Sequence, residues 1–379
     1  MKKSEVVLLH CSSYEDGIYE KMKAGIELLG GLPSLIGKDE NILVKPNLLS
    51  AASPDKAITT HPAVFGAVLR ILKENGYSNV CYGDSPGSPV CGTEKAAAVS
   101  GLADEAEKYG VPLGNFSEAV SCKYPQGKKC REFMLCKAVA EADSIISVCK
   151  MKTHALENIT GAIKNQYGTV FQANKALGHT KYPNSKSFAE MIVDLNLFLK
   201  PKLFVMDGII AMEGNGPASG DPVPMSVILL SKDPVALDTV FARLVYLDPA
   251  NVPTCVSGMN AGLGTMDEKQ IVLLTPDGEI SFEEAVRKFG NQKFDVKRKN
   301  PKFWRAEILL PFRKRKRDRP VVDLSKCIGC GICQKACPVD GKAVHSGNGK
   351  KAEYDYNKCI RCYCCQEMCP EKAISRAER

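Results

Sequence analysis

The sequence predicts an α/β protein, a mostly parallel sheet with helices, followed by a small α+β domain at the C-terminus. Two observations carry this. Strand-like and helix-like stretches alternate over roughly the first 300 residues, as in sheets built from crossover units. Eight cysteines near the C-terminus then fall into two copies of one spacing. A basic stretch at 296–320 separates the parts, which sets domains at 1–295 and 321–379.

The elements follow from local pattern. Val6–His10 is a short apolar strand, and 15–29 has helical spacing that stops at Gly30-Gly31. A strand at 41–45 breaks at Pro46. Thr60 is positioned to cap a helix with Pro62 in its first turn, and Val64, Val68, Ile71 and Leu72 form its apolar face. Strands are expected at 79–82, 144–149, 202–206, 225–230 and 271–274, and helices at 94–109, 158–170, 234–246 and 282–289.

The cysteine runs read C-x2-C-x2-C-x3-C-P: Cys327, Cys330, Cys333, Cys337 with Pro338, then Cys359, Cys362, Cys365, Cys369 with Pro370. This doubled run resembles the bacterial two-cluster ferredoxins, in which the fourth cysteine of each run ligates the other cluster. Carried over, Cys327, Cys330, Cys333 and Cys369 hold one [4Fe–4S] cluster, and Cys359, Cys362, Cys365 and Cys337 hold the second. Gly329 and Gly331 relieve crowding in the first loop. The second loop has Arg361 and Tyr363 there, so the two environments should differ. Structural zinc would pair its ligands across a long spacer, and nothing in the sequence supports a disulfide framework. Cys364 reads as a spare thiol.

Seventeen cysteines, several within apolar runs such as the one around Cys149, indicate a reducing compartment. The apolar stretch at the N-terminus is too short for a signal peptide or a membrane span, so a cytoplasmic protein is expected. The net charge of +8 is local: 297–319 holds eleven Lys or Arg against Glu307 and Asp318, and the remainder sums to −1. With Trp304 and the apolar run 308–312, that stretch suits a peripheral membrane contact, a solvated linker or an acidic redox partner protein. Nucleic acid is the least expected partner, because no reading motif accompanies the charge.

Ligands of α/β sheets gather at the carboxyl ends of parallel strands. Three polar loops leave such ends: Lys45-Pro46-Asn47, Gly83–Gly87 with Asp84, and Asp207 with the glycine-rich stretch after it. The stretch 150–180 adds Lys150, Lys152, His154, Lys164 and His179. If Ile159, Ile163 and Tyr167 turn inward, Lys164 projects toward the same cleft. Amines and imidazoles together suit an anionic ligand, a proton transfer or a metal.

The order KPN (45–47), TTHP (59–62), GDSPG (83–87), KMKTH (150–154), GAIKN (161–165), His179, GNGP (214–217) and SKDPVALD (231–238) resembles the domain-of-unknown-function family 362, often fused to a two-cluster ferredoxin tail. The spacing of His154, Lys164 and His179 also resembles the nickel-pincer lactate racemases. That likeness implies a lysine joined to a pyridinium dinucleotide, with histidines as metal or proton-transfer groups. The expected function is single-electron transfer through two [4Fe–4S] clusters, to or from an α/β domain binding an unidentified small-molecule ligand at Lys45, Asp84, Lys152, His154, Lys164 and His179. The alternatives are a non-redox proton-transfer enzyme and a non-catalytic iron–sulfur carrier.

Overall fold

A computed structural model describes residues 3–87, 91–298 and 318–377. Most of the basic linker, including Trp304 and the run 308–312, lies outside the described residues.

The sheet strands are β1 (Ser4–His10), β2 (Ile42–Pro46) and β3 (Val80–Tyr82). A separate hairpin is formed by β4 (Ala119–Lys123) and β5 (Glu132–Cys136). The sheet continues with β6 (Ser144–His154), β7 (Asn158–Thr160), β8 (Leu203–Glu213), β9 (Asp221–Ser231), β10 (Ile271–Thr275) and β11 (Gly278–Ile280). Its order is β11-β10-β1-β9-β8-β6-β2-β3, with β7 paired to β6. The run β3-β2-β6-β8 is parallel, as is β1-β10, while β9 lies antiparallel between β8 and β1.

Strand periodicity divides the apolar residues between two cores. Val6, Leu8, Leu43, Cys149, Phe204 and Met206 point into one. Their neighbours Val7, Leu9, Val44, Val148, Leu203 and Val205 point into the other. A sheet covered on both faces needs this near-continuous apolar sequence.

The same division creates a crevice. The helix after β2, Pro62–Glu74, packs into the second core, whereas the helix Ser185–Leu199, which follows β6, packs into the first. Neighbouring parallel strands whose connections leave on opposite faces open a gap at their carboxyl ends. Here the gap lies between Pro46 and His154.

Several local expectations differ from the structure. The stretch 158–170 is not one helix but β7, a short helix Ala162–Asn165 and a 3-10 turn Gln166–Thr169, because β6 runs on to His154 and needs a hairpin partner. The stretch 94–109 forms two helices, Thr93–Val99 and Leu102–Lys108, divided at Gly101 with φ 73°. Thr60 does not cap the helix at Pro62. Its hydroxyl is engaged by Asn47 N–H and the Val148 carbonyl, so His61 Nδ1 caps instead, 3.2 Å from Ala63 N. The 203–213 and 221–231 strands are longer than expected and form a hairpin. The helices Gln172–Lys181 and Pro253–Ala261 were not anticipated.

The C-terminal domain pairs β12 (Arg319–Val322) with a final strand, while β13 (Val344–Gly347) and β14 (Lys350–Tyr354) form a hairpin; the final strand is β15 (Ile374–Ala377). Its loops repeat one backbone. Gly329 and Gly331 have φ of 68° and 77°, and Arg361 and Tyr363 have 61° and 65°. A side chain at Gly329 would collide with Gly349 of the β13–β14 turn, so only the first loop requires glycine there.

Candidate functional site

Two voids in the C-terminal domain are lined by the crossed cysteine sets. Cys327, Cys330, Cys333 and Cys369 surround one. Cys337, Cys359, Cys362 and Cys365 surround the other. Among the described residues no group of three or more His, Cys, Asp or Glu is placed to hold a single metal ion. Thiols spread around a void suit a cluster that occupies volume. Amides of Ala352, Ala373 and Ala343 approach the sulfurs of Cys327, Cys369 and Cys337 at 3.3–3.4 Å, and the Tyr354 hydroxyl lies 3.2 Å from Cys365 Sγ. Such donors stabilise thiolate charge and tune a cluster. The donor set therefore fits [4Fe–4S] groups.

A third cavity, of about 630 Å³, opens between this domain and the α/β crevice. The α/β wall includes Asn47, Asp84, Lys152, His154, Lys164 and His179. The opposite wall includes Lys335, Cys337, Lys342, Cys364 and Glu367. Cys337 thus borders both the second thiol-lined void and the cavity.

The motifs explain one another here. Asn47 Oδ1 accepts from Lys152 Nζ at 2.6 Å, and its amide reaches Asn165 Oδ1 at 3.2 Å. Lys152 also donates to the Ile58 carbonyl at 2.8 Å. Burial, with Lys164 and Lys150 nearby, pushes its ammonium down to about 7. Asp238 accepts from the amides of Ala162 and Ile163, which fixes the short helix carrying Lys164. Burial raises the Asp238 carboxyl to about 7.

His154 Nδ1 accepts from the amides of Leu156 and Glu157 at 3.1 and 3.2 Å, so its proton belongs on Nε2. Nε2 lies 3.0 Å from Glu367 Oε1 of the C-terminal domain. Burial and then Lys164 bring His154 down to about 4, so it is neutral at pH 7 and the contact is not an ion pair. Glu367 stays ionised: burial raises its carboxyl, but the nearby His154 Nε2–H and the Lys164 ammonium outweigh that and lower it. His179 stacks on Phe188 with centroids 4.4 Å apart, its Nδ1 has no hydrogen-bond partner among the described residues, and burial lowers it to about 4. Lys164 Nζ lies 5.6 Å from the Tyr167 ring centroid and 5.8 Å from that of Phe188.

Of the six residues expected at the ligand site, all but Lys45 line the cavity. Lys45 is fully buried beneath it, 3.0 Å from Asp84 Oδ1, and positions that carboxylate. Asp84 Oδ2 in turn accepts from Leu48 N at 2.8 Å. Gly168 packs against this pair so closely that a Cβ would overlap Asp84. Asp207 does not reach the cavity. It binds Lys150 at 2.7 Å and Tyr14 at 3.1 Å below it. The GNGP loop holds the C-terminal domain instead. Gln366 Nε2 donates to Asn215 O, Asn215 Oδ1 and Gly216 O at 2.8–3.1 Å, and Asn215 Nδ2 donates to Ile374 O at 2.9 Å.

Lys175 and Glu367 escaped the sequence reading. Lys175 lies one helical turn before His179, a spacing that placed them on one face. Burial lowers it to about 8. Nothing in the cysteine run marked Glu367, because its role depends on how the domains dock.

Residues 42–243 match the family model described as Domain of unknown function (DUF362), and 319–370 match the one described as 4Fe-4S dicluster domain. The chain belongs to the DUF362 family and is an iron–sulfur protein. It is 32% identical over 262 residues to the thylakoid-associated protein sll1697 of Synechocystis sp. (strain ATCC 27184 / PCC 6803 / Kazusa), covering 68% of this chain and 79% of that one. Among solved structures it is similar to the lactate racemase apoprotein of Thermoanaerobacterium thermosaccharolyticum, with TM-score 0.39 and 13% identity over 61% of this chain and 55% of that one. A structural-genomics protein of Thermotoga maritima gives TM-score 0.36 and 12% identity over 65% and 59%. The chain thus spans under two thirds of both solved relatives. Among the described residues no helix is long and apolar enough to cross a membrane.

Proposed function

We propose that this chain is a redox protein whose C-terminal domain holds two [4Fe–4S] clusters, ligated by the two crossed cysteine sets, and exchanges single electrons with a small molecule in the interdomain cavity. The observation that carries this reading is Cys337, a thiol shared by the second void and the cavity wall. Bound cubanes supply one-electron transfer at potentials set by their surroundings. The chain's own residues do the rest. Lys152, its ammonium lowered to about 7, offers a proton to the cavity, while His154 Nε2 faces Glu367 Oε1 at 3.0 Å. Cys330 is exposed, so a redox partner protein meets the first cysteine set while the second faces inward.

Protein purified without oxygen should carry about eight irons per chain. Dithionite should bleach its absorbance reversibly and give an EPR spectrum of two interacting centres. Cys337→Ser should lose roughly half of the iron. Fewer than about four irons in the native protein would exclude the relay.

A second reading has its own support: His154, Lys164 and His179, the trio shared with the nickel-pincer resemblance, line one cavity. A nickel ion there needs His154 to give up Glu367, since its other nitrogen is already engaged. Nickel in the purified protein and added mass on Lys164 would favour proton transfer; iron alone and an unmodified Lys164 would remove it.

A further inference from the structure

Resting on the reading of the cavity as a ligand site, we propose that its ligand is an organic anion, a carboxylate or phosphate carried on an apolar body, with the charged group held at Lys164. The walls supply unequal charge. Lys152, Lys164, Lys175, Lys335 and Lys342 line the space against only Asp84 and Glu367, and Asp84 is already answered by Lys45 beneath it.

The lysines are not equivalent. Lys152 is engaged by Asn47 and Ile58, Lys175 by the carbonyls of Ser85 and Pro86, and Lys342 by the Cys337 carbonyl. Lys164 and the exposed Lys335 make no side-chain hydrogen bond or ion pair among the described residues, and of the two it is Lys164 that stands over aromatic faces, those of Tyr167 and Phe188. His179, 5% exposed and stacked on the same Phe188 ring, leaves Nδ1 without a hydrogen-bond partner among the described residues. An ammonium and an unpartnered buried imidazole lining one cavity make a place prepared for an acceptor atom that the protein does not itself supply.

The remaining lining is apolar. Leu49, Pro86, Pro217 and Met368 face the space, and Leu177, 61% exposed, stands at it. Inorganic ions leave such surface wet, whereas an organic body covers it. The volume, about 630 Å³, lies within the range of small-molecule sites. With its anionic group at Lys164, the ligand's body extends toward the wall that carries Cys337 and Cys364.

The test uses full-length holoprotein, prepared without oxygen, and three probes of one shape: benzoate, phenyl phosphate and benzyl alcohol. Saturation-transfer NMR should show benzoate or phenyl phosphate binding at least about tenfold more tightly than benzyl alcohol, the stronger one naming the head group. Lys164→Met should weaken that anion by about tenfold or more, while Lys164→Arg keeps it within about threefold and iron content is unchanged in both. Equal binding of all three probes, or no effect of Lys164→Met, overturns the proposal. Reduction with dithionite separates this result from the redox reading. An anion that binds in a Lys164-dependent way and whose signals broaden on reduction supports both. The same binding without broadening leaves the anion site standing and removes the electron relay.

Discussion

Glu157 sits at a cost to the fold. It is fully buried in the turn between β6 and β7, both carboxyl oxygens lack a hydrogen-bond partner among the described residues, and burial raises it to about 8 against an ordinary 4.5. Between those values the folded protein keeps a proton that the unfolded chain has released. Stability present below pH 4.5 is therefore lost as pH rises toward 8. Glu157→Gln should remove that loss, raising stability on the order of 2–4 kcal/mol at pH 8 and little at pH 5, as read from denaturant midpoints at the two pH values. His154 and His179 work in the opposite sense. Each folds neutral with a value near 4, so each costs stability as pH falls from 6.5 toward 4.

At the scale of elements, the connection that matters most joins the β8–β9 loop to the short helix Cys364–Glu367. Thr153 on β6 braces the loop through Gly214 O and Gly216 N, at 3.0 and 3.2 Å, and the loop presents its carbonyls to Gln366. A Cβ on Gly216 would fall on the Thr153 carbonyl, so close approach demands glycine. Gln366→Ala leaves buried acceptors without a donor and should cost about 1–3 kcal/mol of docking. Hydrogen exchange should then quicken at Gly216 and around His154, while iron content and the cluster spectrum hold. Unchanged exchange would mean that Lys372 to Gly220 and Arg376 to Ala155 hold the domains without it.

For the whole molecule, the two thiol-lined voids differ in exposure, which would order the path of the proposed relay. The outer set includes the exposed Cys330 beside Ile328, itself 59% exposed, whereas Cys337, Cys362 and Cys365 are buried and Cys337 lines the cavity. Limited ferricyanide oxidation should therefore damage the outer cluster first. Mössbauer spectra would show one cluster converted while the other persists, and Cys330→Ser should change which one is lost. Equal loss of both would argue against an outer entry and an inner exit.

The alternating apolar strands, the doubled cysteine run and the order of the polar motifs were legible in sequence, because each depends on spacing along the chain. Val6 through Leu9 announce a strand buried on both faces wherever they occur, and a C-x2-C-x2-C loop brings its sulfurs together locally. His154, Lys164 and His179 were also visible as candidates. What joins them to Glu367, what demotes Lys45 to a support beneath Asp84, and what turns the GNGP loop from a ligand loop into a docking platform were decided by tertiary structure alone. Those roles depend on two domains meeting at the carboxyl ends of β6 and β8, with contacts such as Gln366 to Gly216 spanning 150 residues. A spacing rule reads neighbours along the chain, and burial, partner and charge at such a contact are set only when the distant segment arrives.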